Sequence, residues 1–186
     1  YAPDPSSQTA CTIGGNIATN SGGPHTLKNG VTTNHVLGYE MVLSDGTIEW
    51  LGVEPDGGEE VAGFDLRGAA IGSEGMFGVV TTVLVRLMKT PPTFKTFLCV
   101  FESVDEASQA VSGIIAAGIV PAALEMMDQL ITQALEEAYH FGFPLDAGAV
   151  LIVELDGLPK GVEQQAKRVE EVCRQNNASE VRLAKD

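Results

Sequence analysis

Of the 21 glycines in this 186-residue chain, 15 lie within residues 1–78, and that asymmetry limits the fold more than any other feature. Glycine weakens helix and strand interiors, because it has no side chain to pack and the most backbone freedom to lose. A first half so rich in it must be built of short elements between turns. The second half holds only six glycines and takes on helical periodicity. Between the two lies Pro91-Pro92, where neither a helix nor a central strand can run through. The chain is therefore expected to divide at about 89–93, into a unit of residues 1–90 and another of residues 93–186.

In the first unit, residues 36–43 have strand character, Asp45-Gly46 marks a hairpin turn, and residues 48–51 return. The β-branched run 78–87 is the strongest strand signal in the chain, and a short helix is expected over 65–71. In the second unit a strand is expected over 94–101. Ser103, with Glu106 three residues later, then forms a capping box for a helix whose apolar stripe is Val104, Ala107, Ala110, Val111, Ile114 and Ile115. An extended piece over 121–124, a helix over 128–140, a strand over 149–155 and a helix over 160–176 follow. This β-α-β-α-β-α order is an α+β pattern, matching half or more of a ferredoxin-like sandwich.

Composition removes several classes of function. The chain is 44% hydrophobic and carries 11 basic against 25 acidic side chains, a net charge of −14. Both halves are acidic, so no basic face awaits nucleic acid or an anionic membrane. No apolar run reaches transmembrane length. Three scattered cysteines (Cys11, Cys99, Cys173) contain no CxxC pair, which disfavours structural zinc and a disulfide framework and suits a reducing compartment. His25, His35 and His140 have no metal-ligand spacing, so no metal is expected.

The chemistry-bearing stretch is CTIGGNIATNSGGP at 11–24, with two Gly-Gly pairs eight residues apart. Backbone free of Cβ atoms can lie against a ligand and aim N–H groups at a diphosphate, while Asn16, Thr19, Asn20 and Ser21 add neutral hydrogen-bonding groups. Such a surface suits a large, flat, polar cofactor. The same spacing is equally that of a run of tight turns, and it is neither a GxGxxG nor a Walker loop. A second glycine loop, GSEGMFG at 72–78, runs directly into the strong strand, a rigid support for a ligand-binding loop.

Together, CTIGGNIATNSGGPHTLKNGVTTNHVLGYEMVLSDG and GFDLRGAAIGSEGMFGVVTTVLVRL resemble the FAD-linked oxidases of the vanillyl-alcohol oxidase type, in the branch that holds glycolate oxidase and D-lactate dehydrogenase. The likeness continues through FESVDEASQAVSGIIAAGIVPAALEMMD and LIVELDG, and so covers nearly the whole chain. It implies an α+β fold: the second lobe of a PCMH-type FAD-binding domain over 1–90, then part of a ferredoxin-like cap (substrate) domain over 93–186. By motif, Cys11, Thr12, Gly14, Gly15, Asn16, Ala18, Asn20, Gly22 and Gly23 match positions that line FAD, and Gly75 and Val79 match a later flavin-contacting segment. The implied reaction is oxidation of a D-2-hydroxy acid by hydride transfer to the flavin.

The resemblance also implies partner iron–sulfur subunits of a larger oxidase, and a protein that is cytoplasmic or held peripherally at the inner membrane through them. Family members carry a preceding FAD lobe and a later cap segment with a histidine-rich metal and base motif. This chain, beginning at Tyr1, is expected to be an internal piece that is inactive alone and self-associates through apolar surface. No catalytic residue is assigned. The competing reading is a non-catalytic ferredoxin-like ligand-binding or assembly module, which would have no use for the 14–23 surface. The simpler roles are expected elsewhere: a loop hydrogen bond for His25, structural roles for His35, His140 and Glu74, packing for Met126 and Met127, and an acidic solvated loop over 54–60.

Overall fold

In a computed structural model, which describes residues 1–58 and 63–184, the chain forms two compact units, Tyr1–Lys89 and Thr90–Asp186. Unit one contains helix α1 (Ile13–Thr19), helix α2 (Thr26–Asn29), a 3-10 turn (Thr32–Asn34), strands β1 (Val36–Val42) and β2 (Ile48–Gly52), helix α3 (Leu66–Ala70) and strand β3 (Val79–Val85). The sheet order is β2-β1-β3, antiparallel throughout. The expected hairpin is present: the Asp45 carboxylate accepts the Thr47 N–H at 2.9 Å, and Gly46 takes the left-handed conformation at φ 86°. Ile17 from α1 and Ala70 and Ile71 from the α3 segment pack on Val36, Tyr39 and Met41 of β1. Of the acidic loop expected over 54–60, Glu59 and Glu60 lie outside the described residues.

Unit two runs β4 (Thr93–Phe101), α4 (Val104–Ala116), β5 (Ala123–Asp128), α5 (Gln129–Tyr139), β6 (Ala149–Gly157), α6 (Pro159–Gln175) and β7 (Glu180–Leu183). The sheet order β5-β6-β4-β7 is fully antiparallel. With α5 set aside, that is the βαββαβ order of a ferredoxin-like sandwich. The sequence pattern showed three of its strands. β7 is four residues with two charges, too short and polar to register as an apolar alternation. The extended piece expected over 121–124 is a longer strand, because Ala123 to Asp128 pair with Glu154 to Ala149 of β6.

Helices α4 and α6 bury Ala107, Ala110, Ile114, Val162, Val169 and Val172 against alternate residues of β4 and β6. Gly113 lets the two helices approach, since a Cβ there would stand 2.9 Å from Val172 Cγ1. Ser103 caps α4 by accepting the Glu106 N–H at 3.3 Å. The reciprocal arm of the capping box is absent: the Glu106 carboxylate instead accepts the Asn177 side-chain amide at 2.9 Å, tying α4 to the end of α6. All three cysteines are free thiols. Among the described residues, no helix is long and apolar enough to cross a membrane.

Candidate functional site

The stretch 11–24 is organised around α1. Thr12 is its N-cap, in extended conformation, and its hydroxyl accepts the Gly15 N–H at 3.1 Å. Asn20 is its C-cap in the left-handed region at φ 49°, which Asn tolerates better than most residues. Gly14 and Gly15 are therefore helical, and left-handed backbone is found instead at Asn20, Gly72, Glu74 and Gly75. Neither loop nor tight turn describes the first glycine pair. Two glycines could open a helix because the caps at both ends and the burial of Ile17 outweigh the ~1 kcal/mol each costs.

Gly22 and Gly23 serve close packing. A Cβ on Gly23 would run into the Asp4 carbonyl oxygen, and one on Gly22 would press on the Thr26 hydroxyl. Thr26 Oγ1 accepts the Gly23 N–H at 3.0 Å and donates to the Gly23 carbonyl at 2.6 Å, so that N–H is already engaged. The neutral groups named from sequence are also largely spent inside the unit. Asn16 is buried and donates to Cys11 Sγ at 3.6 Å, while Asn20 Oδ1 accepts both the backbone N–H and the hydroxyl of Thr33, at 2.9 and 2.8 Å. Thr32, fully buried, donates to the Ser21 carbonyl at 2.7 Å and accepts from the Tyr1 phenol at 3.0 Å. Burial pushes the Tyr1 phenol above its ordinary value, as does the nearby Cys11, with the Thr32 bond acting the other way.

The two glycine-rich segments meet. Gly72 donates its N–H to the Ile17 carbonyl and Glu74 donates to the Ala18 carbonyl, both at 2.8 Å. At the other end of α1, Gly14 faces the Val80 carbonyl, with room between them. Thr12, Gly15, Gly72, Gly75, Met76, Phe77 and Val79 all stand exposed around this joint. Met76 is 84% and Val79 66% exposed, so apolar side chains lie open beside bare backbone. The residues suit FAD in one structural respect: a Cβ on Gly75 would have nothing closer than the Gly78 carbonyl at 4.0 Å, which leaves its backbone open to a ligand. The Ser21 hydroxyl is buried without a hydrogen-bond partner.

The remaining residues of interest have local partners. His25 Nδ1 pairs with Asp4 at 2.9 Å, and His35 is buried with Nε2 on the Asn29 carbonyl at 2.6 Å. His140 is the left-handed C-cap of α5. Asp4, Thr26 and Thr32 shape the site and were not singled out from sequence. A hydroxyl three residues after Gly23 was the available signal for Thr26; nothing local pointed to Asp4. An open apolar cleft of about 450 Å³ lies in the same unit, lined by residues of β1, β2 and α3 and by Leu43 and Phe77, with Glu49 as the one charged residue of its lining. Among the described residues, no group of three or more His, Cys, Asp or Glu side chains could hold a metal.

Residues 90–186 match the family of FAD linked oxidases, C-terminal domain, and residues 1–52 match the FAD binding domain family. The chain belongs to the FAD-linked oxidases. It is 47% identical over all 186 of its residues to the glycolate oxidase subunit GlcD of Escherichia coli (strain K12), and covers 37% of that protein. Identity to GlcD of Bacillus subtilis (strain 168) is 45%, over 99% of this chain and 39% of the relative. A probable mitochondrial D-lactate dehydrogenase of Danio rerio is 30% identical over 92% of this chain and 34% of its own length. The chain thus spans little more than a third of these curated relatives. Among solved structures, an alkyldihydroxyacetonephosphate synthase superposes with TM-score 0.75 at 22% identity, covering 94% of this chain and 34% of that one. p-Cresol methylhydroxylase superposes with TM-score 0.63 at 17% identity, over 87% and 38%. Both establish the fold alone, that of the PCMH-type FAD oxidases.

Proposed function

We propose that the chain is the central part of an FAD-dependent 2-hydroxy-acid oxidoreductase acting on glycolate or D-lactate, with unit one as a flavin-binding lobe and unit two as part of the cap over the substrate. The observation that carries this reading is the hydrogen-bonded joint between α1 and the 72–78 loop, which ties together two motifs distant in sequence, each with exposed residues. Cys11, Thr12, Gly14, Gly15, Asn16, Ala18, Asn20, Gly22, Gly23, Gly75 and Val79 are the residues assigned to that surface. Those on α1 and its caps present or position backbone, Gly22 and Gly23 shape the following turn, and Gly75 with Val79 form the opposite wall. When bound, FAD would supply the redox chemistry, taking the α-hydrogen of the hydroxy acid as hydride while the hydroxyl proton passes to a base not assigned among these residues. What this chain contributes is a preformed, largely neutral seat.

A non-catalytic ferredoxin-like module would account for unit two and leave the exposed joint in unit one without a use. Turnover is assigned to a longer polypeptide of the relatives' length, working with iron–sulfur partner subunits in the cytoplasm or against the inner membrane. This stretch alone is inactive. Its exposed Phe64, Met76, Phe77 and Phe141 promote self-association, visible by light scattering as a mass that rises with concentration. The deciding experiment is anaerobic addition of glycolate or D-lactate to the purified longer protein. Bleaching of its visible flavin absorbance supports the assignment; a protein with no flavin bands, or bands neither acid bleaches, defeats it.

A further inference from the structure

Helix α3 has only five residues, too few to hold itself, yet it leads within two residues into the loop that meets α1. Its anchorage is a set of contacts centred on Arg67. The register of β1 against β3 slips between Val36 and Gly38. At that slip Arg67 Nη1 donates to the carbonyls of Val36 and Leu37, at 3.0 and 3.3 Å. Gly52 lies against β1 here, since a Cβ there would run into the Leu37 carbonyl oxygen and Gly38 Cα and stand 3.0 Å from Arg67 Cδ. Tyr39, fully buried in β1, donates its hydroxyl to the Arg67 carbonyl at 2.9 Å. Asp65 caps α3 by accepting the Gly68 N–H at 2.8 Å.

We propose that Arg67, clasped by Tyr39, is the positioning residue of the candidate cofactor surface: it pins α3 to β1 and so holds residues 72–78 against α1. The inference rests on the flavin reading for its consequence and on this geometry for its mechanics. Among the described residues, the hydrogen bonds of Arg67 run to Val36, Leu37 and Tyr39 and not to the assigned surface residues, so it acts through α3. Without it, Ala70 and Ile71 still pack in the core, but the strut between β1 and the loop is lost. The N–H groups of Gly72 and Glu74 then part more often from the carbonyls of Ile17 and Ala18.

The test is amide hydrogen exchange on the 186-residue chain, for the parent sequence, Arg67→Met, Arg67→Lys and Tyr39→Phe. Tyr39→Phe keeps the ring in the core and removes only the hydroxyl, so it remains informative if Arg67→Met fails to fold. Exchange at Gly72 and Glu74 should quicken about tenfold more than that of the β1 and β3 ladder amides in Arg67→Met and Tyr39→Phe, and the ladder amides should quicken no more than the loss of global stability read from denaturant midpoints. Arg67→Lys should recover part of the protection. Uniform quickening across the unit, or unchanged Gly72 and Glu74, overturns the proposal. FAD titration is run in parallel on the same substitutions placed in the longer protein used to test the flavin reading. If the longer parent takes up FAD and its loosened variants take it up equally well, the positioning role is overturned. If the longer parent takes up none, the flavin reading is what has failed, and the exchange pattern alone decides the mechanical claim.

Discussion

Glu74 donates its backbone N–H to the carbonyl oxygen of Ala18 at 2.8 Å, and does so from the left-handed region at φ 53°. An L residue is held there only when surrounding contacts dictate it. With Gly72 bonded to Ile17 alongside, the last turn of α1 is stitched to the loop before β3. Asn20 uses its side chain to fix the other flank of the same helix end to Thr33. The surface formed is hydrogen-bonded at its centre and exposed at its rim, as the proposed cofactor seat requires.

Gly14 tests whether that surface binds flavin. The residue is helical, and a Cβ there would meet only the Val80 carbonyl at 3.7 Å, an ordinary contact. Gly14→Ala should therefore stabilise unit one, by a few tenths to about 1 kcal/mol, because Ala loses less backbone freedom in a helix. On the flavin reading the added methyl stands where the ligand lies, and FAD affinity falls by about tenfold, roughly the cost of one misplaced methyl. Urea midpoints on the chain, and FAD titration of the same variant in the longer protein, check the two halves. Unchanged affinity would remove Gly14 from the flavin seat.

Much of this was legible in the sequence, and the exceptions have physical reasons. The β1–β2 hairpin was marked by Asp45-Gly46, β3 by its β-branched run, and α4 by its stripe and Ser103. Those signals are local. Helix α1 was illegible because its glycines argue against a helix, while the features that permit one are tertiary: Ile17 in the core and Asn20 bonded to Thr33. Strand β7 exists because Glu180 to Leu183 find β4 as a partner, not because their own pattern is strand-like. The glycines at 22 and 23 were singled out as lining FAD, yet one packs on Thr26 and the other on Asp4, contacts no spacing rule contains.

Tyr39 should give the fold an alkaline limit. Its phenol is pushed up to about 12 from 10.0, by burial first and then by the Asp65 carboxylate, with Arg67 acting in the opposite sense. The native state therefore holds this proton more tightly than the unfolded chain. The stability it contributes is whole below pH 10.0 and is lost as pH rises towards about 12. Tyr39→Phe should cost about 0.5–1.5 kcal/mol at neutral pH, from the lost bond to the Arg67 carbonyl. It should also lose less stability than the parent across that alkaline window. Denaturant midpoints on both sides of the window measure the difference.

Glu136 gives unit two the opposite dependence. Its carboxylate accepts the N–H groups of Phe143 and Gly142, at 2.9 and 3.0 Å, and the Phe143 bond foremost holds it below the usual 4.5. A lowered native value means the bonds are present above pH 4.5 and are lost as pH falls through the native value. The turn after α5, on which Tyr139 and Phe141 stack at 5.4 Å, should loosen in acid. The amide resonances of Gly142 and Phe143 should titrate together there. In Glu136→Gln they should show no such transition and exchange faster at neutral pH.

Gly23 and Gly46 are glycines for different reasons, and paired substitutions separate them. Gly46 sits at φ 86° with nothing within 4 Å of a built Cβ, so its requirement is conformational. Gly46→Ala should cost about 1 kcal/mol, and Gly46→Asn less, since Asn tolerates the left-handed region. Gly23 has ordinary backbone angles but faces the Asp4 carbonyl and, at 3.2 Å, Pro5 Cα, neither of which can turn aside as a side chain tip would. Gly23→Ala should cost about 1–3 kcal/mol, and the larger Gly23→Asn more, an order opposite to that at Gly46. Displacing Asp4 also breaks its 2.9 Å pair with His25, so the same variant should release the start of the chain to protease. Urea midpoints for the four proteins give the two orders directly. If Asn were the better replacement at both positions, close approach to Asp4 would not be what keeps glycine at 23.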